Sequence, residues 1–259
     1  MPSAPTMICY MLFPYLSRSL RADISKRRLL EDILESKRRP YTQTETLTLF
    51  AGIVSAVKAM HEAGFSHRDI RVENVLLQQK LDGQRRRRDV GTPVLSDFGS
   101  AGPVVVPLPS LRDIWQAMED AGRYTTMAYR APELFGGGLS YGPSESLHYD
   151  YADVWSLGCL LFAILYGSSP FEMEWRVSLV EEVAADGTVR FVESTHTKMS
   201  GPVPFPPCGS AADRRHGADI MDLIRWMLKK AGRERPSISE VLKKVAILAD
   251  GKDSTTNSH

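Results

Sequence analysis

With 259 residues and 43% hydrophobic content, the chain is long enough to bury a large core without disulfides or a structural metal. Its formal net charge of +1 excludes a strong overall attraction to nucleic acid or to an anionic membrane surface. Its three cysteines, Cys9, Cys159 and Cys208, lack metal-ligand spacing and are odd in number, so a cytoplasmic protein without a disulfide framework is expected.

The first segment with a clear pattern predicts a strand. Residues 7–13 form an apolar, partly aromatic run that ends at Pro14, which is typical of a buried strand. Residues 1–6 lack the basic region and apolar core of a signal peptide, and we expect a disordered start there.

Two helices are predicted before residue 64. Apolar residues among charged ones over residues 19–36 indicate an amphipathic helix with a break. Thr42 and Glu45 have the spacing of a capping box, and apolar residues follow at three- and four-residue steps until Gly64 ends the helix.

Residues 66–77 carry the strongest chemical signal. They read Ser-His-Arg-Asp-Ile-Arg-Val-Glu-Asn-Val-Leu-Leu, which places Asp69 five residues before Asn74 in a loop that leads into a strand. A tight loop of this length can bring the side chains of Asp69 and Asn74 into one small cleft. Taken alone, the stretch is also compatible with a helix end, a charged turn and a short strand.

Four more motifs follow in order. Residues 96–99 read Ser-Asp-Phe-Gly, residues 131–133 read Ala-Pro-Glu, residues 153–158 read Asp-Val-Trp-Ser-Leu-Gly, and Arg-Pro stands at 235–236. With residues 66–77 they resemble the ordered landmarks of protein kinases. The resemblance covers residues 7–248 and implies an α+β protein kinase-like fold, mostly an α-helical C-lobe preceded by a hinge strand. Residues 249–259 are polar, and a disordered tail is expected there.

The remaining helices are predicted from apolar periodicity. A short amphipathic helix is expected around residues 108–118, a helix buried on all sides over 155–165, and another amphipathic helix over 220–228. Because residues 154–167 are too few to span a bilayer, no integral membrane segment is expected. Ser237 and Glu240 form a second capping pattern ahead of a last helix.

The kinase resemblance implies an enzyme that transfers phosphate from ATP, with Mg²⁺, to serine or threonine hydroxyls of protein substrates. Asp69 would orient and deprotonate the substrate hydroxyl, and Arg71 would stabilise charge on the transferring group. Asn74 and Asp97 would hold the Mg²⁺ ion on the ATP phosphates.

The same resemblance assigns the adenine contacts and the supports of the loop. The Pro14 carbonyl and the Leu16 amide would face the adenine, and Leu76 would form the floor beneath it. Thr126 matches the threonine that serine/threonine kinases place against the catalytic Asp, and Asp153 would brace the catalytic-loop backbone. Glu133 and Arg235 would form a buried ion pair that ties the activation segment, placed at residues 102–126, to the C-lobe. Phosphorylation of Tyr124 or Thr125 is left open.

A narrower resemblance is to the Numb-associated kinase family and in particular to its small lipid-anchored member, which would make the protein peripheral to membranes. The residues on which this resemblance rests are 12–15, 61–69, 93–97, 129–135 and 153–159. This family also lengthens the stretch after Ala-Pro-Glu, as residues 136–150 do here.

Three departures from the kinase pattern stand out. Arg71 replaces the usual lysine, so a planar guanidinium group takes the place of a compact ammonium group. Residues 231–234 replace the common Asp-Pro lead-in to residues 235–236. Only six residues precede the hinge, so the sequence offers no candidate for the glycine-rich loop or for the strand lysine of a kinase. The N-lobe is therefore expected to be missing, and the catalytic activity is expected to be severely reduced.

Two segments invite other interpretations. Lys58 follows Ala-Val, as the phosphate-binding lysine of kinases does, but its place on a helix predicts a surface charge. The arginines at 85–88 lie in a polar insertion between strands, and a solvated hairpin tip is favoured over a nuclear-localisation or anion-binding patch.

Two main hypotheses compete. The first is a serine/threonine protein kinase whose sequence here is truncated, and the second is a non-catalytic kinase-like scaffold or docking module. The intact Asp69, Asn74 and Asp97 favour the first, because a scaffold has no chemical need for all three. A different phosphotransferase of the same fold is a third possibility, but residues 131–133 and Thr126 favour protein substrates.

Overall fold

The computed structural model of the chain describes residues 10–33, 40–79, 90–135, 145–172, 203, 205 and 211–250. The helices of these residues are α1 Leu20–Ile33, α2 Gln43–Glu62, α3 Leu111–Tyr124, α4 Tyr149–Tyr166, α5 Ala211–Met227 and α6 Ile238–Asp250. The strands are β1 Phe65–Ser66, β2 Val75–Gln78, β3 Thr92–Leu95, β4 Gly102–Pro103, β5 Val105–Leu108 and β6 Glu145–His148.

Helix α4 lies at the centre of the core, as the apolar run over residues 155–165 predicts. Nearly every side chain along it is buried, and α2 and α5 pack against it. Gly158 allows the close approach, because a Cβ atom there would lie 2.9 Å from Leu228 Cδ2 and 3.1 Å from Met227 Cβ. A helix that is apolar on every side is stable only when other elements cover all of it.

Helix α2 joins the core to the loop that carries Asp69 and Asn74. Its predicted capping box is present: the Thr42 hydroxyl accepts from the Glu45 amide at 3.2 Å, and Glu45 accepts from the Thr42 amide at 2.7 Å. Its apolar face is buried against α4, α6 and β3. Lys58 pairs with Glu62 on the helix surface, which confirms that it is a surface charge.

The strands form three antiparallel pairs within the described part of the chain: β1 with β4, β2 with β3, and β5 with β6. In the second pair Val75 lies opposite Leu95, so the loops that precede β2 and follow β3 meet at one end. The Ser96 amide donates to the Asn74 carbonyl at 2.9 Å there. The short sheet thereby brings two of the sequence motifs together.

The predicted strand over residues 7–13 is wrong where the structure describes it. Residues 10–13 form no strand, and their side chains are 73 to 98% exposed. A strand requires a hydrogen-bonded neighbour, and no strand among the described ranges lies beside these residues. The chain first meets a strand later, where the Leu77 amide donates to the Arg18 carbonyl at 2.8 Å and Ser19 forms a bridge with Leu76. Residues 7–9 lie outside the described residues.

The other boundaries differ in detail. Helix α1 runs without a break from Leu20 to Ile33, α3 is longer than expected, and α5 carries a non-helical residue at Gly217. Helix α6 extends to Asp250, two residues into the expected tail. The arginine run at 85–88 and residues 136–144 of the lengthened stretch lie outside the described residues, as do residues 1–6 and 251–259. Over the parts that are described, no helix has the length and apolarity needed to cross a membrane.

Candidate active site

A fully buried carboxylate holds the loop that carries Asp69. Asp153, on α4, accepts from the His67 amide and from the Arg68 amide, each at 2.9 Å, which confirms the predicted brace. His61, near the end of α2, adds a third contact at 2.9 Å from its Nε2 to Asp153. This role of His61 is not predictable from the sequence, because 92 residues separate it from its partner and its spacing fits the apolar face of the helix.

Arg68 occupies the left-handed region at φ 67°, which is unusual for a residue with a side chain. Its guanidinium donates to the Pro103 carbonyl at 2.8 Å and stacks over the Tyr149 ring at 3.8 Å. A Cβ atom on Gly102 would lie 2.5 Å from the Arg68 guanidinium carbon, so a larger residue there would displace the end of the Arg68 side chain. These contacts stabilise a turn that the backbone alone would disfavour.

The Asp69 carboxylate is oriented at both oxygens. Its Oδ1 accepts from the Thr126 amide at 3.0 Å and from the Thr126 hydroxyl at 2.6 Å. Its Oδ2 accepts from Asn74 Nδ2 at 3.0 Å, and the same nitrogen donates to the Asp69 carbonyl at 2.9 Å. Arg71 Nη1 donates to the Thr126 hydroxyl at 3.0 Å. A hydroxyl group therefore lies between a carboxylate and a guanidinium.

Asn74 and Asp97 offer oxygen atoms at the same end of the β2–β3 pair. Because the Asn74 amide nitrogen is held by Asp69, the amide oxygen is turned away, and no described residue donates to it. Asp97 is exposed at φ 64°, and among the described residues its side chain accepts one hydrogen bond, of 3.4 Å, from the Gly99 amide. Mg²⁺ is commonly held by one or two protein oxygens, with phosphates and water completing its octahedron, so these two donors fit it.

No cluster of three or more His, Cys, Asp or Glu side chains that could hold a metal occurs in the part of the chain that the structure describes. A metal at Asn74 and Asp97 would therefore take its remaining ligands from a bound phosphate or from water.

The residues predicted to contact adenine lie on the segment next to β2. Leu76, on β2, is half-buried and bridges Ser19. Pro14 is exposed and Leu16 half-buried, and the Pro14 carbonyl and Leu16 amide have no hydrogen-bond partner among the described residues. Both groups stand on irregular chain instead of the predicted strand.

The activation segment is fixed at its far end by the predicted ion pair. Arg235, whose side chain is fully buried, donates from Nη1 to Glu133 Oε1 at 2.6 Å and from Nη2 to Oε2 at 2.7 Å. It also donates to the carbonyls of Lys229, Lys230 and Tyr151. The prediction of a buried ion pair is confirmed.

The two hydroxyl residues proposed as phosphorylation candidates differ in environment. Thr125 is buried, and its hydroxyl donates to the Ala121 carbonyl at 2.7 Å while it accepts from Arg130 Nε at 2.6 Å. Tyr124 is 45% exposed. Of the two, only Tyr124 is accessible to another protein.

Comparison with known proteins decides the family. The protein kinase domain model matches residues 9–246. The chain belongs to the protein kinase family. This membership, the α+β fold and the order of the motifs agree, so the predicted kinase-like fold is confirmed.

Several serine/threonine kinases are similar to this protein kinase chain. It is 27% identical to serine/threonine-protein kinase 16 of Homo sapiens, over 92% of this chain and 65% of that protein. It is 29% identical to a probable serine/threonine-protein kinase of Dictyostelium discoideum, over 92% of this chain and 18% of that protein. It is also 27% identical to the actin-regulating kinase PRK1 of Saccharomyces cerevisiae, over 92% of this chain and 24% of that protein. The chain thus spans less than two thirds of the length of each of these relatives.

A solved structure shares the fold. The Rad53 kinase domain, in a crystal structure with SCD2 and AMPPNP, superposes with a TM-score of 0.53 at 19% sequence identity. The match covers 89% of this chain and 65% of the Rad53 chain. At this identity the likeness concerns the kinase fold alone.

Proposed function

We propose that the protein transfers the γ-phosphoryl group of ATP to serine or threonine hydroxyls of protein substrates. The observation that carries the proposal is the Thr126 hydroxyl, which donates to Asp69 and accepts from Arg71. A substrate hydroxyl needs the same two partners, a carboxylate to accept its proton and a cation beside the phosphoryl group. The similar serine/threonine kinases support this substrate class.

Each side chain of the site has a distinct part in the proposal. Asp69 orients the attacking hydroxyl and takes its proton, and Asn74 and Thr126 keep the carboxylate in position. The planar guanidinium of Arg71 can donate two hydrogen bonds to the phosphoryl oxygens, which stabilises the negative charge that spreads over them during transfer. Asn74 and Asp97 would hold Mg²⁺, which neutralises phosphate charge when it is bound.

We further propose membership of the Numb-associated kinase family, a cytoplasmic location and peripheral association with membranes. The support is the set of residue stretches that resemble this family, including residues 12–15 at the hinge and 61–69 before the catalytic Asp. The similarity to serine/threonine-protein kinase 16 and to PRK1 extends over most of the chain.

Phosphate transfer from labelled Mg·ATP to serine- and threonine-containing peptides tests the proposal on the whole chain. Asp69→Asn should lower the rate by roughly 10²- to 10⁴-fold, because it removes the proton acceptor while keeping the shape of the side chain. Asp222→Asn is the matched control, since Asp222 is exposed on α5, and its ion pair within the described part of the chain is with the exposed Arg225. Equal rates for Asp69→Asn and the wild type would refute the assigned role of Asp69.

A non-catalytic docking module is the second candidate, and one observation favours it. The aromatic side chains of Tyr10, Phe13 and Phe98 are 52 to 85% exposed near the nucleotide-facing residues. Calorimetry of Mg·ATP binding separates the candidates, with Asp97→Asn as the variant that removes a metal ligand. Binding that this variant weakens supports the kinase. Absence of both binding and transfer in the wild type supports the docking module.

A further inference from the structure

Arg21, at the start of α1, connects three segments that are far apart in the sequence. Its Nε donates to Glu73 Oε1 of the catalytic loop at 2.6 Å, and its Nη1 donates to the Gly167 carbonyl at the end of α4 at 2.9 Å. Its Nη2 lies 3.2 and 3.3 Å from the two carboxylate oxygens of Glu172. The side chain is only 24% exposed. One planar fork therefore contacts two carboxylates and a helix end.

The first route from Arg21 leads to Asp69. Glu73 Oε2 lies 3.5 Å from Arg71 Nε, on the side opposite to the oxygen that Arg21 holds. Arg71 donates to the Thr126 hydroxyl, and this hydroxyl donates to Asp69. These contacts alternate in charge, from Arg21 through Glu73 to Arg71, before the Thr126 hydroxyl connects them to the Asp69 carboxylate.

The second route reaches the activation segment from the other side. Glu172 accepts from the Ser169 amide at 2.8 Å, and the Ser169 hydroxyl donates to the Ala128 carbonyl at 3.0 Å. Ala128 is two residues from Thr126, so both routes end on the same short stretch of chain. Tyr129 lies next to it, and its buried hydroxyl has no hydrogen-bond partner among the described residues.

The charge state of Arg21 fits this bridging position. Burial alone would lower the pKa of the guanidinium, but the hydrogen bond to Glu73 and the charges of Glu73 and Glu172 outweigh it and raise the pKa. The Arg21 guanidinium therefore keeps its positive charge through the neutral and mildly alkaline range.

We propose that Arg21 is a positioning residue for the catalytic loop, acting through Glu73 on Arg71 and Asp69. The inference rests on the proposed kinase function, because it assigns the geometry that Arg21 maintains to phosphoryl transfer. Helix α1 follows the segment that would face the adenine, so this residue also links the nucleotide end of the site to its hydroxyl end.

Hydrogen exchange of two loop amides tests the positioning role without any need for activity. The Asn74 amide bonds to the Arg71 carbonyl and the Ser96 amide to the Asn74 carbonyl. Arg21→Met keeps an apolar stem but removes the fork, and it should speed exchange at both amides by about tenfold, which corresponds to about 1.4 kcal/mol. The Val241 amide at the start of α6 should exchange at an unchanged rate. Equal acceleration at all three amides would indicate a general loss of stability and overturn the proposal.

Two further variants sharpen the test. Arg21→Lys keeps the charge but cannot contact all three partners at once, so it should recover only part of the protection, and full recovery would overturn the bridging role. In a cycle with Glu73→Gln, the double variant should accelerate exchange by much less than the product of the single effects, because Arg21 acts through Glu73. Independent, multiplying effects would overturn that route.

Phosphate transfer gives the second readout. If the wild type is active, Arg21→Met should lower kcat by about tenfold, the same factor as in exchange, with little change in KM for the peptide. Arg225→Met, which removes an exposed arginine of α5, is the matched control. A wild type that transfers no phosphate would refute the proposed function, while the exchange comparison would still decide the role of Arg21.

Discussion

Arg235 illustrates how much a single buried cation can organise. It is fully buried, forms a two-point ion pair with Glu133 and donates to three backbone carbonyls. Its guanidinium also stacks over Trp155 at 5.0 Å. A buried charge with all its donors satisfied is tolerable, whereas the same charge without its counterion is strongly destabilising.

Glu133→Gln should therefore lower the free energy of unfolding by about 3–5 kcal/mol. The substitution keeps the size of the side chain and removes only its charge, which leaves Arg235 buried without a counterion. Urea denaturation measures the change. Glu234→Gln is the matched control, because Glu234 is exposed, and it should shift the free energy by less than about 0.5 kcal/mol. Equal effects of the two variants would contradict the importance of the buried pair.

Some contacts of single residues could be predicted from the sequence, and others could not. Thr126, Asp153 and the Glu133–Arg235 pair were predictable because each belongs to a motif with a fixed position relative to the catalytic loop. Arg21 and His61 were not, because their partners lie 52 to 151 residues away and no local pattern announces them. Contacts of this kind depend on how the helices pack against each other.

At the scale of elements, the long helices with clear periodicity were predictable. The capping boxes of α2 and α6 indicated the starts of both helices, and the apolar run of α4 indicated its burial. The strand over residues 7–13 was predicted wrongly over its described part, because an apolar run shows which residues favour a strand but not whether a neighbouring strand exists. Pairing is a property of the fold, and irregular chain with exposed side chains is found there.

Gly158 provides a test of the packing between α4 and α5. Glycine in the middle of a helix normally costs stability, so Gly→Ala at an open helical site stabilises by about 0.5–1 kcal/mol. At Gly158 the new methyl group would lie 2.9 to 3.1 Å from Leu228 and Met227, so overpacking should dominate. Gly158→Ala is expected to lower the free energy of unfolding by about 1–3 kcal/mol.

The matched control for this prediction has the opposite expected sign. Gly122, on α3, is exposed, and a Cβ atom added to it would have nothing within 4 Å. Gly122→Ala should raise the free energy of unfolding by about 0.5–1 kcal/mol, measured by urea denaturation under the same conditions. A stabilising effect of Gly158→Ala as well would show that the two helices can separate without cost.

At the scale of the whole molecule, the site is assembled from both ends of the described chain. Residues 14–23 contribute the segment next to β2 and Arg21, the loop near residue 70 contributes the proposed reacting groups, and Arg235 pairs with Glu133. The elements that carry the proposed site therefore also cover the core. The cluster around Asp23, where α1 meets the start of α2, makes the stability of this part of the core measurable through pH.

Asp23 is 4% exposed and accepts hydrogen bonds from Arg18, Arg27 and the Tyr41 hydroxyl. Burial alone would raise the pKa of this carboxyl, but the bonds from Tyr41, Arg27 and Arg18 outweigh it and lower the pKa below 3.8. Burial raises the pKa of Tyr41 well above 10.0, and the neighbouring Asp23 raises it further. The contribution of Asp23 to stability is present above its unfolded-state pKa and is lost as the pH falls toward its folded pKa.

Tyr41 acts in the opposite direction. Its contribution is present below pH 10 and is lost as the pH rises above that value, because only the unfolded chain then releases the proton readily. The free energy of unfolding should therefore be highest between about pH 4 and pH 10. Beyond those limits it should fall by about 1.4 kcal/mol per pH unit for each proton by which the folded and unfolded states differ. Urea denaturation across this range measures both slopes.

Two variants assign the slopes to this cluster. Asp23→Asn should flatten the acid slope, and Tyr41→Phe should flatten the alkaline slope, although both lower the maximum because they remove hydrogen bonds to buried partners. Burial also raises the pKa values of Tyr129 and Tyr149, so part of the alkaline slope should persist in Tyr41→Phe. Tyr10→Phe, which changes an exposed side chain, is the control and should leave the alkaline slope as it is. An alkaline slope that Tyr41→Phe does not reduce would show that the phenol is not buried against Asp23, and would contradict the packing of α1 onto the start of α2.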